Sequence, residues 1–541
     1  MKISDIIIEY LKHFNIDRVF GVPGGVIEPL LNAISNSNIK PVNFASENQS
    51  CFVSQSYGEA KNSFGVCFSI WGAGETNMIN AVSNAYIANK KLLVIVGSGN
   101  QKTETLSPAQ DNTTSGINSQ AIFDNITVYN EKITNKDHFS DKLRKALIKM
   151  HIHNKPVRIE IPKNIMEEEI DFNIDNIKID IPNTPVAHPK DIDYILNLIK
   201  NKNINFFIGS NGEKIKEKIS KISYFFSHNI YETPTGKGII NKNHPFYQGV
   251  FGISGTHNQK PLNRESFNIF IGDTLNEENT NGWSEILFNN FIYINDSISN
   301  SESPLNIHNN VLTDINYFFE EIEKKLNLDN KKTPKFTIKE ETINTINSDT
   351  ITPKELVETM STISTNKTVS FFDIGNSFLW GIKYWKGKEH IDNVQNFKIG
   401  TGLSTMGWAL GSSIGYSLAK NDDLVFCFIG DGSLLMCSNE IMMLSQNKQK
   451  MVFIILNDGL LGTVFHGQKM SKSASICNEI PKVNFKVFFE SNGIKSYTIK
   501  SQKELLEIKE DIINTEEVIV LDVHIDKSIS PPLKQRLKNL Q

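Results

Sequence analysis

Apolar residues recur along this chain in two rhythms. At the N-terminus Ile3, Ile6, Ile7, Tyr10, Leu11 and Phe14 return at helical spacing, which predicts a helix with one apolar face. Beyond it come short apolar strands: Arg18–Phe20, Gly65–Ile70, Leu92–Val96 and Val157–Ile161. Segments of helical length separate them, and such alternation predicts βαβ units wound on a parallel sheet. The theme returns twice. Asn205–Gly209, Phe267–Gly272 and Phe291–Asn295 are the expected strands of a second block. Val369–Phe372, Leu424–Ile429, Met451–Leu456 and Val518–Val523 are those of a third. A polar stretch from Asn330 to Asp349 reads as a linker, and the tail after Ser528, with Pro531-Pro532, as a surface arm. The expected architecture is α/β, with three doubly wound parallel-sheet domains over residues 1–170, 185–330 and 352–530.

Composition narrows the class without choosing a function. At 541 residues the chain exceeds what one core organises. Charged residues make up 21% and the formal net charge is −4, with the lysines dispersed, so nothing marks a nucleic-acid surface. No apolar run is long enough to span a bilayer, and Met1-Lys2-Ile3-Ser4-Asp5 opens a helix, not a secretory signal. Cys51, Cys67, Cys427, Cys437 and Cys477 have neither disulfide nor metal-ligand spacing. The expectation is a cytoplasmic protein in a reducing compartment.

The candidate chemistry gathers at the ends of two third-block strands. Leu424–Ile429 stops at Gly430-Asp431-Gly432-Ser433, and Met451–Leu456 stops at Asn457-Asp458-Gly459. In open parallel sheets, ligands bind where strands end at the carboxyl edge. Two side-chain oxygens there suit one hard cation such as Mg²⁺, which takes oxygen ligands and bridges to phosphates. The glycines let the backbone approach phosphate oxygens. A helix beginning near Ser433 would aim its positive end at the same anion.

This pair of turns resembles the diphosphate-and-metal motif of the thiamine-diphosphate-dependent enzymes, in which Gly-Asp-Gly is followed at similar spacing by Asn-Asn. The likeness covers nearly the whole chain, in order. Gly21-Val22-Pro23-Gly24-Gly25 follows the first strand as in the acetolactate synthase branch, and Ser46-Glu47-Asn48 falls at the family's glutamate. Gly72-Ala73-Gly74-Glu75-Thr76-Asn77 matches a Gly-Pro-Gly-Ala-Thr-Asn turn. Ile161-Pro162-Lys163, Thr235–Gly238 with Asn243-His244-Pro245, Asp373–Asn376, Thr401–Gly407 and Leu461–Val464 follow in family order.

The resemblance implies a pyrimidine-binding, a middle and a diphosphate-binding domain, and it assigns roles. Glu47 would hydrogen-bond the cofactor's aminopyrimidine and promote the tautomer that generates its carbon nucleophile. Met406 would wedge the cofactor into a bent form, and the Ser404 carbonyl would accept from the pyrimidine amine. Asp431 and Asp458 would hold Mg²⁺ by side chain and Leu460 by its carbonyl; Asn457 is the less favoured ligand. Asn376, Ser377, Gly432 and Ser433 would reach the diphosphate, with Gly430, Leu461 and Gly462 completing the cradle. On the substrate side, Gln120 or else Gln110 corresponds to a carbonyl-polarising glutamine, Gly24 and Gly25 offer backbone, and His466 is a candidate acid–base group. The family builds each site from Glu47 of one subunit and the metal motif of another, so a homodimer or a dimer of dimers is implied.

Departures from the family pattern bear on function. Asp458 stands where asparagine is usual, Ser404 where glycine is frequent and Ala73 where the turn has proline. Gly467 stands where acetolactate synthases carry a tryptophan that shapes the acceptor site. Gly272–Glu277 replaces a Phe-Asp-Asp-Arg segment associated with flavin, which weighs against FAD. The expected activity is decarboxylation of a pyruvate-like 2-oxo acid with carboligation to a second carbonyl compound, in a specialised relative of acetolactate synthases. Release of an aldehyde without ligation is the alternative, and a non-catalytic relative that kept the fold is the reading from another class.

Overall fold

A computed structural model describes residues 1–541 except 258–261, 302–308, 333, 335, 337–349, 393, 445–448 and 534–541. Most of the expected linker therefore lies outside the described residues. The strands form three six-stranded sheets. The first holds β1 (Arg18–Gly21), β2 (Lys40–Asn43), β3 (Gly65–Ile70), β4 (Leu92–Ser98), β5 (Tyr129–Lys132) and β6 (Val157–Pro162). The second holds β7 (Ile204–Ile208), β8 (Asn229–Glu232), β9 (Tyr247–Val250), β10 (Phe267–Ile271), β11 (Phe291–Asn295) and β12 (Asn309–Leu312). The third holds β13 (Thr368–Phe372), β14 (Phe397–Ile399), β15 (Leu424–Gly430), β16 (Met451–Asn457), β17 (Lys495–Ile499) and β18 (Val518–His524). All pairings between these strands are parallel.

The first and third sheets share one strand order, β2-β1-β3-β4-β6-β5 and β14-β13-β15-β16-β18-β17; the middle sheet runs β12-β11-β10-β7-β8-β9. Each order winds outward in both directions from one point, between β1 and β3, between β7 and β10, and between β13 and β15. Crevices for ligands open at such reversals. The expected strands are all present. Those not expected, β2, β5, β8, β9, β12, β14 and β17, include every edge strand.

By internal contacts the chain divides into two compact units. One comprises residues 1–183, 403–421 and 437–449 and contains the first sheet. Its N-terminal helix, Ile3–His13, buries Ile3, Ile6, Ile7, Tyr10 and Leu11 as expected, and Ile8 as well. The helix Glu47–Ala60 is buried from Gln49 to Gly58 and so shows little amphipathic pattern. It packs against the helix Trp408–Ala419 along Gly407, Gly411 and Gly415, which recur every four residues. A Cβ on Gly411 would lie 2.7 Å from the Phe52 Cβ, and one on Gly415 would lie 2.1 Å from the Val53 carbonyl oxygen. Only glycine permits this approach of two backbones. Cys51 and Cys67 are buried beneath this helix as free thiols with sulfurs 3.5 Å apart.

The other unit comprises residues 184–402, 422–436 and 450–541 and contains the second and third sheets. Lys237, from the Thr235–Gly238 segment, is buried and donates through Nζ to the Gly381 and Ile382 carbonyls at 3.0 and 2.6 Å. It thereby caps carbonyls of the helix Asn376–Tyr384. Burial pushes its ammonium down to about 7. The tail differs from the surface arm expected: Pro531 and Leu533 are buried, and Ser254 donates to the Pro532 carbonyl at 2.9 Å. The proline pair seats the tail on this unit.

Candidate active site

In the second unit the predicted metal and diphosphate residues converge at the reversal between β13 and β15. The turn after β15 carries Asp431, whose side chain is 3% exposed. Its Oδ1 accepts from the Gly432 amide at 2.8 Å, and its Oδ2 accepts from the Gly459 and Asp458 amides at 2.7 and 3.2 Å. The carboxylate thus fastens the β15 turn to the β16 turn. Asp458 Oδ1 accepts from the Leu460 amide at 3.0 Å, and Gly459 makes this reversal with φ +71°. Asn457 Nδ2 donates to Asp522 Oδ1 at 2.7 Å.

The turn after β13 supplies the facing wall. Gly375, at φ +106°, opens the helix Asn376–Tyr384. Ser377 Oγ donates to the Asp373 carbonyl at 2.6 Å, and Ser433 Oγ donates to the Asp373 carboxylate. Asn376 Oδ1 accepts from Thr463 Oγ at 3.1 Å. A Cβ on Gly462 would lie 2.5 Å from Asn376 Nδ2 and 3.4 Å from Asp458 Oδ2, and one on Gly432 would lie 2.9 Å from the Leu461 side chain. Around Gly430 a Cβ would meet nothing within 4 Å. Gly462 and Gly432 are therefore places where backbone must come close, whereas Gly430 leaves open space.

The electrostatics of the pair ask for a cation. Burial raises the Asp431 carboxyl to about 6 against four backbone amides that lower it. Burial, then the charge of Asp431, raises Asp458 to about 7, although Lys527 acts the other way. Shielded like charges take up a proton or a metal ion. Two carboxylates with a neighbouring backbone carbonyl at Leu460 leave room for phosphate oxygens in an octahedral shell, so this donor set fits Mg²⁺. One expectation needs correcting. The helix expected to begin near Ser433 begins at Asp431, lasts to Leu434, and is followed by a separate helix, Asn439–Leu444. A single turn carries little macrodipole, so no long helix aims its positive end at this turn.

Glu47 lies in the first unit. It opens its helix after the extended Ser46, is half-buried, and accepts from Asn77 Nδ2 at 3.0 Å. Glu440, absent from the sequence-based expectations, is buried, and its Oε2 accepts from the Ala45 amide at 3.0 Å. Burial, with a smaller contribution from Glu47, raises its carboxyl to about 7. Its only sequence signal was a glutamate nine residues after Asp431, inside a stretch otherwise read as helix. Ser404 adopts φ +55°, the left-handed region that explains why glycine is frequent there. Met406 is half-buried, with part of its side chain left uncovered.

The substrate-side residues are dispersed. Gly25 is exposed, and its carbonyl accepts from Lys163 Nζ at 3.2 Å. Gly24 is packed: a Cβ there would lie 2.6 Å from Ile70. Gln110 and Gln120 are both exposed, at the two ends of one loop. In the second unit His466 is buried with its Nδ1 3.4 Å from Ser530 Oγ. Burial, then the charge of Lys469, lowers its proton affinity. On the same helix, a Cβ on Gly467 would meet nothing within 4 Å.

Doubly wound sheets with paired acids and glycine turns at a strand-order reversal have the form of an α/β protein that holds a phosphorylated cofactor. Comparison with known proteins makes this particular. The N-terminal TPP binding domain of thiamine pyrophosphate enzymes matches residues 1–122, and their C-terminal TPP binding domain matches residues 373–523. The chain belongs to the thiamine pyrophosphate enzyme family and is a thiamine-diphosphate-dependent enzyme of the carboligase and decarboxylase class. It is similar to the "Probable acetolactate synthase large subunit" of Methanococcus aeolicus, with 25% identity across 97% of this chain and 92% of that protein. It is also similar to the "Acetolactate synthase large subunit" of Lactococcus lactis subsp. lactis, with 22% identity across 97% and 92%. Among the described residues, no helix is long and apolar enough to cross a membrane.

Proposed function

We propose that this enzyme uses thiamine diphosphate with Mg²⁺ to decarboxylate a pyruvate-like 2-oxo acid and to join the retained fragment to a second carbonyl compound. The observation that carries the reading is Asp431, bridging two glycine turns beside Asp458 at the reversal of the third sheet. Asp431, Asp458 and the Leu460 carbonyl would hold the metal. Asn376, Ser377, Gly432 and Ser433 would bind the diphosphate, with Gly430, Leu461 and Gly462 giving it room. When bound, the cofactor supplies a carbon nucleophile and an electron sink for loss of CO₂.

Glu47 is the proton-handling residue in this account. Its carboxylate would bind and polarise the aminopyrimidine, with Ser404 and Met406 fixing the ring's orientation. Gln120 or Gln110 would orient the 2-oxo acid's carbonyl, beside the backbone of Gly25. His466, buried and with its proton affinity lowered, is better suited to packing than to delivering a proton to product. The open space at Gly467 supports ligation, because a second carbonyl compound needs room.

FAD is doubtful in this reading, because Gly272–Glu277 stands where the flavin-associated Phe-Asp-Asp-Arg segment would be. A homodimer, or a dimer of dimers, is the assembly that fits the family's shared site, and light scattering tests it.

The function is tested by supplying the cofactor-loaded enzyme with a panel of 2-oxo acids, detecting CO₂ and resolving products on a chiral column. A chiral 2-hydroxy ketone or 2-hydroxy-2-methyl-3-oxo acid is expected from pyruvate. Acetaldehyde as sole product would remove ligation from the account, and no CO₂ from any 2-oxo acid would remove the reaction.

A further inference from the structure

Glu75 stands where the turn that the sequence resembles has alanine, and it is fully buried. A buried carboxylate needs partners, and this one has five donors. Its Oε1 accepts from the Gly72 amide at 3.1 Å, Asn112 Nδ2 at 2.7 Å and Ser119 Oγ at 2.7 Å. Its Oε2 accepts from Arg158 Nε at 3.0 Å and Nη2 at 2.5 Å. Arg158 is itself fully buried on β6 and also donates to Glu160 Oε2 at 2.6 Å and Asn130 Oδ1 at 2.9 Å.

Asn112 and Ser119 are the two feet of a surface loop, joined by the Ser119 amide donating to the Asn112 carbonyl at 3.1 Å. Gln110 lies just before the first foot, with its carbonyl oxygen where a Cβ on Gly72 would be, 2.4 Å away. Gln120 follows the second foot, and its carbonyl accepts from Asn130 Nδ2 at 2.8 Å. Asn130 thus receives from Arg158 and gives to Gln120. The glutamines are exposed, but the backbone that carries them is tied by buried, charge-assisted bonds to the turn after β3 and to β6.

We propose that Glu75 is a positioning residue: with Arg158 and Asn130 it clamps both ends of the loop between Gln110 and Gln120, so that the loop presents its glutamine to the 2-oxo acid. This rests on the reading of Gln110 or Gln120 as the substrate-orienting residue. The clamp fixes geometry without touching substrate, so its loss acts on substrate terms and spares the cofactor. Misplacement of an orienting group by about 1 Å reduces turnover on the order of 100-fold.

The test combines hydrogen exchange with kinetics on the whole enzyme. In Glu75→Gln, amide exchange is expected to accelerate over residues 111–125 while the rest of the first sheet keeps its protection. kcat/KM for the 2-oxo acid is expected to fall about 10- to 100-fold with KM raised, and the melting shift produced by thiamine diphosphate with Mg²⁺ is expected to be unchanged. Ser119→Ala, which leaves the Arg158 pairs intact, is expected to show the same pattern at a smaller amplitude and serves if Glu75→Gln does not accumulate. Unchanged loop exchange in both variants, or faster exchange spread evenly over the sheet with KM constant, overturns the proposal. If the unaltered enzyme binds cofactor but releases no CO₂, the functional reading fails while the exchange result still decides the clamp.

Discussion

Glu75 and Glu160 in the first unit and Asp431 and Asp458 in the second are two pairs of shielded acids, and their surroundings treat them oppositely. Around the first pair the protein supplies its own cations. Burial acts to raise the Glu160 carboxyl, but Arg158 and Lys132 outweigh it and the group ends below its ordinary value. Around the second pair burial prevails, and Asp431 and Asp458 rise to about 6 and about 7. A compensated pair is a clamp, complete without a ligand. On the proposed function, the undercompensated pair beside glycine turns is where a cation and the phosphates it brings would sit.

Four changes break or sharpen this contrast. The largest effect is expected from Glu47→Gln, which removes the carboxylate proposed to bind the cofactor's aminopyrimidine. CO₂ release should fall on the order of 1,000-fold, while the melting shift from thiamine diphosphate with Mg²⁺ persists in part. Next comes Arg158→Met, which leaves Glu75 without its cation and Glu160 with Lys132 alone. Breaking a buried pair in this way costs about 3–5 kcal/mol, read as a lower denaturation midpoint. The double variant Arg158→Met with Glu75→Met should recover part of the loss, because no uncompensated Glu75 charge remains. Asp458→Asn acts in the reverse sense. Relief of repulsion should raise the melting temperature without ligand by about 1–3 °C. Mg²⁺ affinity should drop about tenfold, a change of about 1.4 kcal/mol.

The smallest effect is pH-dependent. Glu160 is held below its ordinary value, so its stabilisation is full above the unfolded carboxyl range and is lost as pH falls through the folded value. Hydrogen exchange in residues 111–120 should therefore accelerate on acidification before the first sheet as a whole unfolds.

What the sequence made legible follows the same physics. Central strands such as β4, β15 and β16 are covered on both faces and read as continuous apolar runs. Edge strands are covered less: β2 (Lys40–Asn43) and β5 (Tyr129–Lys132) carry polar residues and leave no comparable run. The metal turns were legible because Gly-Asp-Gly and Asp-Gly each sit in one short segment. The clamp was not. In Val157-Arg158-Ile159-Glu160-Ile161 the alternation suggests a polar face turned to water, yet both faces of β6 are buried and Arg158 is fully enclosed. Its partner Glu75 lies 83 residues away in sequence, so no local pattern joins them. Glu440 escaped for the same reason, since its contact with Ala45 spans 395 residues.

On the proposed function, Asp431 and Asp458 stand ready for a cation carried with a diphosphate. Thermal melting of the enzyme with thiamine diphosphate, in Mg²⁺ and in EDTA, tests it most directly. A ligand that binds only the folded state raises stability by mass action, by about 2.7 kcal/mol at a hundred times its dissociation constant. The expected result is a clear upward shift with cofactor and Mg²⁺ together, little with cofactor in EDTA, and loss of the shift in Asp431→Ala. Identical melting curves with and without saturating cofactor and Mg²⁺ would contradict the claim.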